Sequence, residues 1–244
     1  MDYPLLLYVL LFLVALLYAS VGHGGASGYL ALMSIYGISL QTSRPIALVL
    51  NCLVSLIAFI QFKRHQFFDW RLFISLAIVS IPCAYLGGLI DLDPTIYKQL
   101  LGFVLLFTSI RLVIQFNSSS EKEMIVAPLT YLFMAGAFIG FISGLLGIGG
   151  GIFLSPLLIF TRWADAKRTA GISALFILVN SIAGLLAQSQ KGIVLNSSMS
   201  LMIGLALLGG IIGSYLGSKK LTPSLIKKLL GIALLIASLK LIFT

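Results

Sequence analysis

The sequence predicts an all-α, polytopic integral membrane protein made of two inverted repeats, each a glycine-broken helical hairpin followed by three transmembrane helices. Three observations predict it: the chain is apolar throughout, long apolar runs recur from end to end, and a glycine-rich break occurs once in each half. Hydrophobic residues make up 59% of the 244 residues and charged residues only 9%, whereas charged residues make up about 25% of a soluble domain. We therefore expect nearly all of the chain to lie in a lipid bilayer.

The first repeat is predicted to occupy residues 1–116. Its apolar runs are 5–21, 27–38, 45–62, 72–89 and 96–116. A helix needs about 20 apolar residues to cross the hydrocarbon core, so the last three runs predict three crossings. The first run stops at the break Gly22-His-Gly-Gly25, and the run that follows is too short to cross. These two runs therefore predict a hairpin that enters the membrane and returns to its own side.

A serine-rich, charged stretch at residues 117–123 predicts a hydrated linker, and residues 124–244 are predicted to form the second repeat. Its apolar runs are 125–146, 152–160, 169–188, 195–217 and 224–243. Short segments of sequence recur as well, because Tyr85-Leu-Gly87 matches Tyr215-Leu-Gly217 and Gly22-His-Gly-Gly25 matches Gly147-Ile-Gly-Gly150. Three crossings after a hairpin are an odd number, so the second repeat is predicted to be inverted relative to the first.

The basic residues predict the orientation of this topology. Cytoplasmic segments of a membrane protein carry an excess of Lys and Arg, so the richer side is predicted to be cytoplasmic, with both termini outside a cell inner membrane. The role of the basic residues in orientation accounts for the net charge of +9, so no nucleic-acid partner is predicted. The richer side would hold Lys63, Arg64, Arg71, Lys122, Arg162, Lys167, Arg168, Lys219, Lys220, Lys227 and Lys228, and the other side Arg44, Lys98, Lys191 and Lys240.

The two glycine breaks are the candidate site. Glycine lets another group approach the backbone closely, and a helix N-terminus carries unpaired N–H groups and a partial positive charge. Inverted hairpins would bring their tips together near the membrane midplane, where these N–H groups could hold a small anion. Close helix packing through small residues is the alternative explanation. The candidate glycines are Gly22, Gly24, Gly25, Gly147, Gly149, Gly150 and Gly151.

Four polar residues lie in or near the breaks or within apolar helices, and each has two interpretations. His23 could donate to an anion or carry a proton, or it could cap a helix or bond a carbonyl. Ser27 could donate a hydroxyl to the anion or act as an N-cap. Asn51 and Asn180 lie within apolar runs, where an amide needs a partner. That partner could be the ligand or a neighbouring helix.

Arg44 and Arg168 begin the helices that follow the two hairpins. Arginine suits oxyanions, so these two could draw an anion in from either side, or they could only anchor the helices at the interface. No Asp or Glu falls within a predicted membrane segment, as an anion site would require. No motif predicts a catalytic set, a metal site, a cofactor or a nucleotide site, so we expect a non-enzyme that is not driven directly by ATP.

The segment Gly144-Leu-Leu-Gly-Ile-Gly-Gly-Gly151, with Pro156 shortly after it, resembles the signature of the TauE/SafE family, the sulfite and organosulfonate exporters and toluene sulfonate uptake permeases. The resemblance extends over nearly the whole chain, through its length, duplicated halves and mid-chain linker. It implies a permease for a small sulfur-containing anion, and alternating access would be its mechanism. An anion channel and a carrier of another small solute are the alternatives. The sequence is also compatible with a homo-oligomer.

Overall fold

The computed structural model describes residues 4–64, 68–114, 124–190, 192, 198–219, 231, 235, 238–239 and 241–242. Within these residues the secondary structure is helical, without a strand. The linker at 117–123, most of the predicted run 224–243 and several of the basic residues that predict the orientation lie outside the described residues. The helices are α1 (Leu5–Ser20), α2 (Ala26–Ile35), α3 (Leu40–Arg64), α4 (Trp70–Leu89), α5 (Pro94–Ile114), α6 (Leu129–Leu146), α7 (Gly151–Phe160), α8 (Ala166–Ser189) and α9 (Ser198–Lys219).

Five of these helices, α3, α4, α6, α8 and α9, are long and apolar enough to cross a membrane. The apolar helices α1, α2 and α7, and the apolar part of α5, are shorter. Many large hydrophobic side chains are exposed on the outside of the molecule, among them Leu5, Ile78 and Phe138, as expected where lipid replaces water. The prediction of an all-α polytopic membrane protein is therefore confirmed.

Local capping explains where three helices begin. Asp69 and Asp165 are the N-caps of α4 and α8, and their carboxylates accept from the backbone N–H groups of the first turn at 2.9 to 3.0 Å. The predicted start of α3 at residue 45 is wrong, because the helix begins at Leu40. The Ser39 carbonyl accepts from the N–H of Ser43 at 2.8 Å, so the first turn forms ahead of Pro45.

The helix packing follows one scheme twice. Helix α1 packs along α9, and α6 packs along α4, while α3 and α8 pack on each other between these pairs. The short return helices α2 and α7 lie against α3 and α8, respectively. Exchanging α1–α4 for α6–α9 reproduces every one of these contacts. The division into repeats at residues 1–116 and 124–244 and their opposite orientation in the membrane stay predictions.

Glycines bring the backbones of the two most extensively packed helix pairs, α4 with α6 and α1 with α9, close together. Three glycines of α6, one helical turn apart, face carbonyl oxygens of α4, and three of α9 face carbonyls of α1 in the same way. A Cβ added at any of the six would lie 1.8 to 2.5 Å from a carbonyl oxygen, which is the close approach that small residues permit between membrane helices. The pairs are Gly136–Leu76, Gly140–Ser80, Gly144–Ala84, Gly209–Phe12, Gly213–Leu16 and Gly217–Ser20.

We expect the Gly144→Ala variant to be less stable by about 1–3 kcal/mol, the usual cost of overpacking. The new methyl carbon would lie 1.8 Å from the Ala84 carbonyl oxygen, which cannot move without shifting α4. Thermal melting in detergent measures the change. Gly204→Ala is the matched control, because nothing lies within 4 Å of its added Cβ and alanine favours the helix. Equal melting temperatures of the two variants would contradict the prediction.

Candidate functional site

The two hairpin tips share left-handed glycines at two equivalent positions, although Gly149 has positive φ and its counterpart Gly24 does not. Each first limb ends on a glycine with left-handed φ, +79° at Gly22 and +71° at Gly147. Two hydrogen bonds close each end in the pattern of a Schellman motif, which left-handed glycine makes possible. They run from Gly22 N–H to Ala19 O (3.1 Å), His23 N–H to Tyr18 O (2.9 Å), Gly147 N–H to Gly144 O (3.3 Å) and Ile148 N–H to Ser143 O (3.1 Å).

Each return helix also begins after a left-handed glycine. Gly25 has φ +98° and precedes α2, and Gly150 has φ +79° and precedes α7. Neither glycine supplies a side-chain cap, so the first N–H groups of the two helices need other partners. That the tips present these N–H groups to an anion stays a prediction.

Asn51 contacts both tips. From the middle of α3, its Oδ1 accepts from the N–H of Ala26 at 3.1 Å, and its Nδ2 donates to Ser181 Oγ of α8 at 2.7 Å. A Cβ added at Gly24 would lie 2.0 Å from Asn51 Oδ1, and one at Gly149 would lie 2.4 Å from Asn51 Nδ2. The two glycine tips therefore meet across a single amide side chain.

His23 forms a second contact between the tips. Its Nε2 lies 3.1 Å from the Gly151 carbonyl oxygen and 3.1 Å from Ser155 Oγ, both in α7. Its Nδ1 lies 3.1 Å from the Val21 carbonyl oxygen of its own tip. Ser155 Oγ lies 2.8 Å from Ser173 Oγ of α8. A hydrogen-bonded chain therefore runs from the first tip into the second half.

Arg44 is buried, with 5% of its surface exposed. Both interpretations of Arg44 in the sequence analysis expected it at the edge of the membrane, and its burial differs from that expectation. Its Nη2 donates to the carbonyls of Gly144 at 3.2 Å and Leu145 at 2.9 Å. These carbonyls end α6, where the helix dipole is negative, so a buried cation is stabilised without a carboxylate. The Tyr97 ring lies 5.6 Å from the guanidinium carbon. A Cβ added at Gly147 would lie 3.6 Å from Arg44 Nε.

Four buried side-chain atoms have no hydrogen-bond partner in the part of the chain that the structure describes. Three lie at tip glycines. Arg44 Nε is beside Gly147, Tyr29 Oη lies 2.9 Å from a Cβ added at Gly25, and Ser143 Cβ lies 3.2 Å from one added at Gly150. The fourth is Asn180 Oδ1, in the residue before Ser181. Buried polar groups are almost always paired, and three of these four exceptions lie at the tips.

Comparison with known proteins identifies the family. The model of the family described as "Sulfite exporter TauE/SafE" matches residues 7–241. The chain belongs to the TauE/SafE family. A "Probable membrane transporter protein y4hK" of Sinorhizobium fredii is 35% identical over 243 residues, 97% of each chain.

Two further relatives carry the same kind of name. The "Probable membrane transporter protein YjnA" of Bacillus subtilis is 28% identical over 246 residues, 94% of this chain and 96% of the relative. The Methanocaldococcus jannaschii "Probable membrane transporter protein MJ0441" is 30% identical over 138 residues, 54% of this chain and 50% of the relative. No solved structure matches. With its membrane-crossing helices, this TauE/SafE protein is a multi-pass membrane transporter.

The remaining predicted residues of this TauE/SafE protein lie in different surroundings. Ser27 is buried and its Oγ lies 2.8 Å from Tyr18 Oη, which joins α1 to α2. Asn180 Nδ2 donates to the Phe176 carbonyl of its own helix at 2.8 Å. Arg168 is exposed and its Nε lies 3.4 Å from Asp165 Oδ2. It lines a surface cavity of about 210 Å³ rather than a tip.

Sequence reasoning missed Tyr29 and Ser143. Tyr29 follows Gly25 by one helical turn, and Ser143 precedes Gly147 by one turn. Side chains four residues apart lie on one face of a helix, so polar residues at this spacing from a glycine break are a signal that could have identified both. Tyr97 was also missed, and its hydroxyl donates to the Leu146 carbonyl at 2.7 Å.

Proposed function

We propose that this TauE/SafE protein moves a small oxyanion, sulfite or an organosulfonate, by alternating access through a site where the two glycine tips meet. The buried guanidinium of Arg44 is the observation that carries this proposal. Two of the predicted residues, Arg168 and Ser27, would act indirectly. Arg168 would attract the anion at the cytoplasmic mouth, and Ser27 would hold the first hairpin together. The binding site would consist of Gly22, His23, Gly24, Gly25, Arg44, Asn51, Gly147, Gly149, Gly150, Gly151 and Asn180.

Arg44 supports an anion because, among the described residues, no carboxylate pairs with its charge. Its Nη2 is occupied by the carbonyls of α6, whereas its Nε has no hydrogen-bond partner in the part of the chain that the structure describes. A guanidinium N–H is a donor only, so the group that satisfies it must be an acceptor. A sulfite or sulfonate oxygen fits, and an anion also balances the buried positive charge.

The surrounding groups supply the other donors. The Tyr29 hydroxyl lies at Gly25, the N-cap of α2, and the Ser143 side chain lies beside Gly150, the N-cap of α7; helix dipoles favour negative charge at these positions. Asn180 Oδ1 is an acceptor, and its Nδ2 already donates to the Phe176 carbonyl, so Asn180 would bond a hydroxyl of the ligand rather than its charged oxygens. A tetrahedral oxyanion with several oxygens would use such a set better than a neutral solute would.

The membrane setting of the proposal follows the sequence. The protein would lie in the inner membrane with its termini outside, because the basic residues between the crossings favour one face. The repeats at 1–116 and 124–244 would be inverted, so each hairpin would enter from its own side. A homo-oligomer is compatible with the proposal, and the site would need no second copy, because each of its residues comes from one chain.

Counterflow in proteoliposomes tests the proposal. Vesicles loaded with unlabelled sulfite or methanesulfonate should transiently accumulate the labelled anion above its equilibrium level, and the flux should saturate. Acetate should compete more weakly, and urea should not compete. A flux that neither saturates nor shows counterflow would indicate a channel. An equal response to urea and to the two sulfur oxyanions would refute an anion site.

A further inference from the structure

We propose that His23 is a proton-binding site that couples anion movement to a proton gradient, so that one proton enters with each anion. The proposal rests on the anion site proposed above and adds the coupling ion. Histidine is the side chain whose ordinary charge change falls between pH 5 and 8. In this protein it occupies the tip of the first hairpin and contacts the second.

The geometry of the ring accommodates the charged form. Both ring nitrogens lie 3.1 Å from a backbone carbonyl oxygen, Nδ1 from that of Val21 and Nε2 from that of Gly151. A carbonyl only accepts, and a neutral imidazole has a single N–H to donate. Only the imidazolium, with two N–H groups, satisfies both contacts together.

The same surroundings also accommodate the neutral form. With Nδ1–H donating to the Val21 carbonyl, Nε2 can accept from the Ser155 hydroxyl at 3.1 Å. Ser155 can in turn accept from Ser173, whose Oγ lies 2.8 Å away. Protonation would reverse this chain, because Nε2–H would then donate to the Gly151 carbonyl while Ser155 donates to Ser173. Each protonation state therefore makes a different bond between the two tips.

The groups that the structure describes facing His23 do not change charge in this pH range. Tyr18 faces it from α1, with ring centroids 6.5 Å apart, and Ser155 and Ser173 face it from α7 and α8. Tyrosine and serine stay neutral near pH 7. Arg44, at the second tip, stays charged throughout. A change in the charge of the tips between pH 5 and 8 would therefore come from His23.

Proton and anion would bind cooperatively. A positive charge on His23 would lie beside Gly151, the first residue of α7, and would strengthen the attraction of the tips for an anion. Linkage is reciprocal, so a bound anion would raise the affinity of His23 for its proton by the same factor. The loaded form would then carry one extra proton and one anion, and their charges would cancel.

Uptake of labelled methanesulfonate into proteoliposomes tests the coupling. A sulfonate stays anionic over the whole working range, so a proton that enters with it must be bound by the protein. With an external pH of about 5.5 and an internal pH of about 7.5, spanning the range in which histidine titrates, we expect uptake about tenfold faster than at equal pH. A coupling of roughly 5- to 150-fold is typical of linked sites. In His23→Gln, which cannot be charged, the ratio should fall to about one.

Ser155→Ala and its control Ser75→Ala provide a second test that does not depend on the glutamine variant. Ser155→Ala removes the donor for the neutral ring, so the imidazolium should persist to higher pH, as seen in the imidazole ¹⁵N shifts of the purified protein. Ser75→Ala should not change them, because Ser75 Oγ bonds only the Arg71 carbonyl among the contacts described for it. A His65→Gln background leaves His23 as the sole histidine.

The outcomes separate the two proposals. If the wild type shows counterflow of sulfite or methanesulfonate, and His23→Gln keeps the wild-type response to the pH gradient, the coupling role is wrong while the anion site stands. The same comparison with labelled sulfite decides the case if methanesulfonate is not carried, since protonation of sulfite itself affects both proteins equally. If the wild type shows no counterflow of either anion, the proposed function has failed. A ¹⁵N spectrum that shows a neutral His23 from pH 5 to 8 also refutes the coupling.

Discussion

Arg44→Gln is expected to bind sulfite or methanesulfonate at least tenfold more weakly than the wild type and to lose counterflow. A hydrogen bond to a charged group contributes about 1.5–3 kcal/mol, which corresponds to roughly a 10- to 150-fold change in affinity. The glutamine removes the positive charge and the unpartnered Nε donor together. Anion-dependent shifts in melting temperature and counterflow in proteoliposomes measure the two effects.

Two further variants separate binding from stability, because Arg44 also bonds the last carbonyls of α6. Arg44→Lys keeps a charge that can reach those carbonyls but lacks the planar fork of donors, so we expect a stable protein with intermediate affinity. Lys63→Gln removes a charge from an exposed position near the end of α3 and should leave affinity unchanged. A folded Arg44→Gln protein with wild-type affinity would contradict the proposed site.

Gly24→Ala is expected to abolish counterflow by separating the first tip from α3. Gly24 does not have positive φ, so alanine fits its backbone conformation. The new Cβ would nevertheless lie 2.0 Å from Asn51 Oδ1 and 2.8 Å from the Asn51 carbonyl oxygen. The side chain could rotate away, but the carbonyl belongs to a helix and cannot. The tip must therefore withdraw, and the bond from Ala26 N–H to Asn51 is lost.

Gly37→Ala is the matched control for this substitution. Gly37 has φ +73°, and nothing lies within 4 Å of its added Cβ. Alanine there costs about 1–2 kcal/mol through the left-handed backbone alone, comparable to the 1–3 kcal/mol of overpacking at Gly24. We expect similar losses of melting temperature in the two variants, but normal counterflow only in Gly37→Ala. Equal flux in both would show that contact between the tip and Asn51 is not required.

The features that the sequence predicted well depend on local chemistry. The paired breaks were predictable because left-handed glycines end α1 and α6 and precede α2 and α7, and glycine is the residue for that conformation. The return helices begin at Ala26 and Gly151, within one residue of the predicted starts. The start of α3 was misplaced because its first turn, closed by the bond from Ser43 N–H to the Ser39 carbonyl, is polar and precedes the apolar run.

The features that the sequence could not supply depend on distant contacts. Arg44 lies 100 residues from Gly144 along the chain, and only the packing of α3 near the end of α6 shows that its charge is buried rather than at an interface. The contact of Asn51 with Ser181 spans 130 residues, and that of His23 with Ser155 spans 132. Local periodicity places each of these residues on a helix or a break but carries no information on which partner it meets.

The glycine-to-carbonyl contacts also determine which helices can travel as a unit. The backbones of α6 and α4, which belong to different halves, lie so close that an added methyl group would not fit between them. The same is true of α9 and α1. A hairpin is thus fastened more tightly to the opposite half than to its own, since α1 and α6 have few contacts with the helices that follow them. Any conformational cycle in this protein would exchange positions between two composite bodies, α1 with α9 and α4 with α6, each drawing on both halves of the chain.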